Sequence, residues 1–93
     1  MPALLIRHRV ADYSAWSRVF DEQAYARTAN GCQRAQIFCN TSDPHEMVII
    51  LTWDTLVRAR LYTQSDDWLD SLTRGGVTTR PDLCFLDEVP EHS

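Results

Sequence analysis

The run Glu46–Asp54, EMVIILTWD, is the most apolar stretch of the chain and limits its fold more than any other feature. An apolar run this short, preceded by turn-forming residues, reads as a strand. Met47, Ile49, Leu51 and Trp53 share one pleat face, and Val48, Ile50 and Thr52 share the other. A strand with one wet face alternates apolar with polar, whereas this one is apolar on both. Each face therefore needs a cover. Helices of the same chain supply one. A second copy of the chain is expected to supply the other, because a single domain, 1–93, buries only roughly 60–65% of its unfolded surface.

The neighbouring elements follow from periodicity and punctuation. Ala3–Val10 reads as a strand, with Leu4, Ile6, His8 and Val10 on one face and Leu5, Arg7 and Arg9 on the other. Asp12 is a helix N-cap. From Tyr13 to Asn30 a helix is expected, with Tyr13, Trp16, Phe20, Ala24 and Arg27 at intervals of three or four, and Gly31 to end it. Cys32–Asn40 is the next strand, joined to Glu46–Asp54 through a turn at Asn40–His45 to form an antiparallel hairpin. A second helix starts after Asp54 or Thr55, breaks at Ser65-Asp66-Asp67 and stops at Gly75-Gly76. The last strand is expected over Asp82–Val89, with Pro81 at its entrance and a loose tail over Pro90–Ser93.

That order, βαββαβ, is the ferredoxin-like α+β arrangement: a four-stranded antiparallel sheet with both helices on one face. The other face stays apolar, so two such sheets packed together give a homodimer with a barrel-like centre.

Composition removes several functional classes. The net charge of −4 argues against nucleic acid, which calls for a basic surface. No apolar run approaches the ~18 residues of a membrane span, and no signal-peptide core is evident, so a cytoplasmic protein is expected. Three cysteines, Cys32, Cys39 and Cys84, form no disulfide framework. His8, His45 and His92 are too dispersed for a metal site, and no glycine-rich phosphate loop or nucleophile elbow occurs. Catalysis without a bound metal or cofactor is the expectation.

Three segments resemble the dimeric α+β barrel superfamily, which includes antibiotic-biosynthesis-type monooxygenases and small polyketide cyclases. They are RHRVADYSAWSRVFDE, LTWDTLVRARLYTQSDDW and PDLCFLDEV. The monooxygenase branch often carries a His nine residues after the strand-end Trp; here that position is Tyr62. The Asn–His pair of haem-degrading relatives is not found. The cyclase branch builds its site from His and Tyr residues between helices and sheet, with an acidic partner on the fourth strand. Carried onto this chain, the resemblance implies His8, Tyr25, Tyr62 and Asp87, while Trp68 stands where that branch can have a further His.

His8 is also singled out by its own pattern. Its strand face is otherwise Leu4, Ile6 and Val10, so the imidazole points into the core, where it can take a proton near neutral pH. Asp87 is expected to orient it, and Tyr25 or Tyr62 to donate to an oxyanion. Trp16, Trp53 and Trp68 are expected to wall a flat cavity for an aromatic or polyketide-like ligand, and Arg34 is a candidate clamp for its carboxylate. The leading expectation is cofactor-independent acid–base cyclisation. The alternatives are a cofactor-free monooxygenase of the same fold, and a non-catalytic dimer that binds a small molecule.

Overall fold

The computed structural model describes residues 1–90. Strand β1 (Ala3–Arg9) leads into helix α1 (Tyr13–Glu22) and helix α2 (Ala24–Ala29). Strands β2 (Cys32–Asn40) and β3 (Asp43–Trp53) follow, then helices α3 (Leu56–Thr63) and α4 (Asp66–Arg74), and strand β4 (Asp82–Leu86). The strands form one antiparallel sheet in the order β2-β3-β1-β4. This is the ferredoxin-like architecture read from the sequence. Of the tail, residues 91–93, including His92, lie outside the described residues.

The doubly apolar run occupies an inner position of the sheet. Its Met47, Ile49, Leu51 and Trp53 are all at most 1% exposed and join Leu4, Ile6 and Val10 of the neighbouring strand under the helices. Burying each such side chain contributes about 1.5–3 kcal/mol. The helices close over this layer with Trp16, Val19, Ala59 and Trp68. The opposite face carries Leu5, Val48, Ile50, Phe38, Cys84 and Leu86, with Phe38 49% exposed, and among the described residues no element covers it. Arg7 and Arg9 lie on that face and find acidic partners within the chain, in Glu46 at 2.6 Å and in Asp43.

Capping fixes the helix starts. Asp12 accepts from the Ser14 N–H, Thr55 from the Arg58 N–H and Ser65 from the Trp68 N–H. The break at Ser65 occurs as read. Gly31 has φ +108°, in the region that favours glycine.

Three boundaries differ from the sequence reading. The expected single helix Tyr13–Asn30 is interrupted at Gln23, whose ψ of 3° departs from helical geometry. There the Phe20 carbonyl accepts from the Gln23 N–H and from Arg27 Nη1, so a side chain takes up an oxygen that a continuous helix would bond to Ala24. The hairpin turn is tighter than expected: Asn40 pairs with Asp43, and a register shift between Cys39 and Asn40 accommodates Pro44. The last strand stops at Leu86 rather than Val89. Its partner strand ends at Ala3, and Pro2 before it has no N–H to extend the ladder.

Candidate functional site

Two cavities lie on the helix-covered side of the sheet. The smaller, about 20 Å³, is lined by Ile6, His8, Trp16, Val19, Phe20, Gln23, Ile49, Tyr62, Trp68, Ser71 and Leu72. That volume accommodates about one water-sized molecule. The larger, about 290 Å³, opens between α2 and the α3–α4 pair and is lined by Gln23, Ala26, Arg27, Ala29, Asn30, Arg58, Leu61, Tyr62, Ser65 and Asp67. Tyr62 and Gln23 belong to both linings and so form the wall between them. Gln23 is held in that wall by its side-chain amide, which donates to the Asp67 carbonyl at 3.0 Å.

His8 is 4% exposed, and its Nδ1 has no hydrogen-bond partner among the described residues. Burial lowers its pKa from the ordinary 6.5, an effect opposed by its own backbone. A neutral ring with a vacant lone pair or an unbonded N–H is thereby kept at neutral pH. Trp16 meets it edge-on at 6.0 Å and stacks on Phe20 at 4.9 Å. Tyr62 packs between Trp53, at 5.1 Å, and Trp68, at 6.2 Å. Its phenol is pushed up to about 12 by burial, against the opposing influence of Arg27. At neutral pH Tyr62 is therefore a hydrogen-bond donor rather than a base.

The structure separates several residues that the sequence reading grouped. Asp87 lies beyond the end of β4, next to the Ala3↔Leu86 pair, whereas His8 lies beyond Arg7↔Asp82 at the other end of the same ladder. The two are about six strand positions apart, roughly 20 Å, so Asp87 does not orient His8. Tyr25 is 86% exposed, since α2 turns Arg27 inward and Tyr25, two positions before it, faces outward. Arg34 pairs with Thr52 on the uncovered sheet face, away from both cavities. Trp53 is fully buried and supports Tyr62 from behind instead of facing a ligand. Trp16 and Trp68 border the small cavity, but their rings fill the space that was expected to be open. His8 and Tyr62 remain together at one wall.

Arg27 and Gln23 were not among the candidate residues. The signal for Arg27 was in the sequence: a charged residue at an otherwise apolar helix position. It is 5% exposed and lies over the Phe20 ring at 3.6 Å. Among the described residues no group of three or more His, Cys, Asp or Glu could hold a metal ion, and no helix is long and apolar enough to cross a membrane.

Comparison with known proteins adds a family. The model of a family described as antibiotic biosynthesis monooxygenase matches residues 10–73. No curated protein matches the chain. Among solved structures, SnoaB, a cofactor-independent oxygenase from Streptomyces nogalater, superposes with a TM-score of 0.71 at 17% identity, covering 98% of this chain and 97% of that one. Rv0793 from Mycobacterium tuberculosis gives 0.70 at 17% identity over 100% of both chains. A conserved protein from Methanosarcina mazei gives 0.75 at 9% identity, covering 95% of this chain and 92% of that one. At these identities the structural likeness speaks for the fold alone.

Proposed function

The chain belongs to the antibiotic biosynthesis monooxygenase family, and from that premise we propose that it is a cofactor-independent oxygenase of an aromatic or polyketide-like small molecule. The observation that carries this reading is the wall at Tyr62. On one side is an open crevice of ligand size, and on the other a neutral imidazole with an unpartnered Nδ1 beside a void of about one water-sized molecule. The reading requires the Tyr62 ring, which lines both spaces, to move aside so that a substrate in the crevice reaches His8.

Without a resident cofactor, the electrons that reduce dioxygen have to come from the substrate. The substrate must then yield an electron-rich anion on losing a proton. His8 accepts that proton from a carbon or hydroxyl next to a carbonyl-bearing ring. Tyr62 donates its O–H to the oxygen on which charge develops. The carbanion form adds dioxygen with formation of a C–O bond, and the protonated His8 returns its proton to give a hydroperoxide. Loss of the remaining carbon-bound proton breaks the O–O bond and expels water. In sum, CH₂ and O₂ become C=O and H₂O, a four-electron oxidation of the substrate carbon by one dioxygen.

Acid–base cyclisation is the second reading. It is favoured by the same unpartnered imidazole, since proton abstraction next to a carbonyl is its first step also. It needs no oxygen. The uncovered apolar sheet face supports a homodimer in either case, and the three unpaired cysteines are in keeping with a reducing, cytoplasmic setting.

The test is oxygen uptake with a panel of polyhydroxylated naphthalenes and anthracenes, in metal-free buffer with no flavin added. Uptake matching product one to one, lost in His8→Gln with the oligomer intact, is the expected result. Product formed equally well without oxygen would replace the oxygenase reading by the cyclase one. Binding without product under either condition would leave a carrier in place of an enzyme.

A further inference from the structure

We propose that the crevice between α2 and α3 is an anion site, in which Arg27 recognises a carboxylate carried by the aromatic ligand. This rests on the small-molecule reading above but is independent of the oxygenase chemistry.

Arg27 is a buried cation without a counter-charge. Only 5% of it is exposed, and among the described residues no carboxylate lies within ion-pairing distance of its guanidinium. Taking a guanidinium out of water is unfavourable unless an anion or several acceptors replace the lost hydration. The fold supplies part of that replacement. One of the five N–H donors is bonded to the Phe20 carbonyl at 2.8 Å, and the aromatic ring of Phe20 lies under the planar group at 3.6 Å. The guanidinium also comes close enough to the Tyr62 hydroxyl to favour its ionised form. Arg27 lines the crevice, and none of its side-chain nitrogens is both fully buried and without a partner.

This arrangement is what a carboxylate needs. A guanidinium fixed by stacking and by one carbonyl presents a preorganised fork, and the Arg donors can bind both carboxylate oxygens. The crevice volume of about 290 Å³ is at the lower end of ligand sites, suited to one or two fused rings. Leu61 and the alanines give the rings an apolar wall, while Asn30, whose amide donates to the Ala26 carbonyl at 2.7 Å, adds a polar edge. At the rim Arg58 adds a second positive charge, held by Asp54 at 3.3 Å and half exposed. Asp67 also lines the crevice and opposes anion entry from its side, which directs the acid group toward the α2 wall. A purely structural Arg27, satisfied by Phe20 and Tyr62, would show no preference for charged ligands.

The probe is 2-naphthoate, with 2-naphthamide as its uncharged match in shape, titrated calorimetrically into the full chain. One charge-assisted, largely desolvated contact predicts that naphthoate binds about ten-fold or more tighter than the amide. Arg27→Gln should erase that ratio while leaving amide affinity in place, and Arg27→Lys should keep part of it. Arg58→Gln should lower naphthoate affinity by a smaller factor that disappears at high salt. Equal affinities for the two probes in the unmodified protein overturn the proposal, as does a ratio that survives in Arg27→Gln. If Arg27→Gln fails to fold for want of its bond to Phe20, the nitrogen-detected Nε–H signal of Arg27 decides. A shift with naphthoate and none with naphthamide supports the site, and no shift with naphthoate overturns it. Oxygen uptake plays no part in these readouts, so failure of the anion site and failure of the oxygenase reading are told apart.

Discussion

Replacing His8 by leucine should make the protein more stable. A buried ring nitrogen without a partner costs about 1–3 kcal/mol in lost hydration. Leucine is close to histidine in volume and keeps the contacts with Ile6, Trp16 and Ile49 that surround the site. The adjoining void of about 20 Å³ leaves room for the branched end, so misfit should cost less than about 1.5 kcal/mol. The net gain is about 1 kcal/mol, equivalent to a rise of about 4–8 °C in melting midpoint for a chain of this size. The pH dependence gives a second, independent signature. Burial holds the folded-state pKa of His8 below 6.5. Between that lowered value and 6.5 the unfolded chain binds a proton that the folded chain does not. Stability contributed by the neutral ring is therefore complete above 6.5 and declines as pH falls through the window, by at most about 1.4 kcal/mol per pH unit. Glu46 titrates lower: the Asn40 amide and then Arg7 hold its carboxyl below the usual 4.5, so its contribution is lost only as pH drops beneath that value. Urea unfolding followed by tryptophan fluorescence, at one protein concentration and between about pH 5 and about pH 7.5, separates the two. The leucine variant should be more stable at neutral pH and flat across the histidine window, and it should be inactive. A variant that is less stable and still loses stability between pH 6.5 and 5 would refute the account of His8 as a neutral, unpartnered ring.

Tyr62 predicts the opposite dependence at high pH: because its phenol is raised from 10 to about 12, stability should be complete below 10 and lost as pH climbs toward 12, and Tyr62→Phe should flatten that limb in alkaline urea melts. Gly31→Ala should cost about 1–3 kcal/mol, read as a lower urea midpoint at unchanged slope, since φ is +108° and a Cβ there would come within 2.4 Å of Asp54 Oδ1; an unchanged midpoint would show that the backbone relaxes. Ile50→Glu places a charge at the middle of the uncovered sheet face and should convert the proposed dimer to monomer in sedimentation equilibrium, whereas a wild-type chain already monomeric at micromolar concentration would remove the dimer from the picture.

The fold was legible because it depends on patterns that local physics enforces. Alternation in β1 set its inward face, a run apolar on both pleat faces marked β3 as a strand needing two covers, and Asp12, Thr55 and Ser65 marked helix starts by their capping chemistry. The candidate site was only half legible. His8 and Tyr62 converge because each lies on an inward face of its own element. Asp87 was expected beside His8 on the grounds that β1 and β4 are neighbours, but adjacency of strands does not specify register, and the ladder puts the two at opposite ends. Tyr25 was named through the resemblance to the cyclase branch and was not on the inward stripe of Tyr13, Trp16, Phe20, Ala24 and Arg27; the helix that carries it is also interrupted at Gln23. Nothing in the residue types announces that interruption, where the Phe20 carbonyl is taken up by the Gln23 N–H and by Arg27 and the Gln23 amide reaches a carbonyl on a helix 44 positions later in the chain. Arg27 was visible as an anomaly on an apolar stripe, and its importance lies in tertiary contacts that no local pattern encodes.

The interruption at Gln23 has a bearing on how such a molecule could change its diet. An uninterrupted helix from Tyr13 to Asn30 would be a rod of about 27 Å, longer than the roughly 23 Å of the seven-residue first strand it lies across. Breaking it separates an inner segment packed on the sheet through Trp16 and Val19 from an outer one tied down mainly through Arg27 and its contacts with Phe20. Substitutions in the outer half can then resize the mouth of the crevice while the tryptophan-lined interior stays as it is, so selectivity for ligands and integrity of the fold are governed by different turns of what began as a single helix.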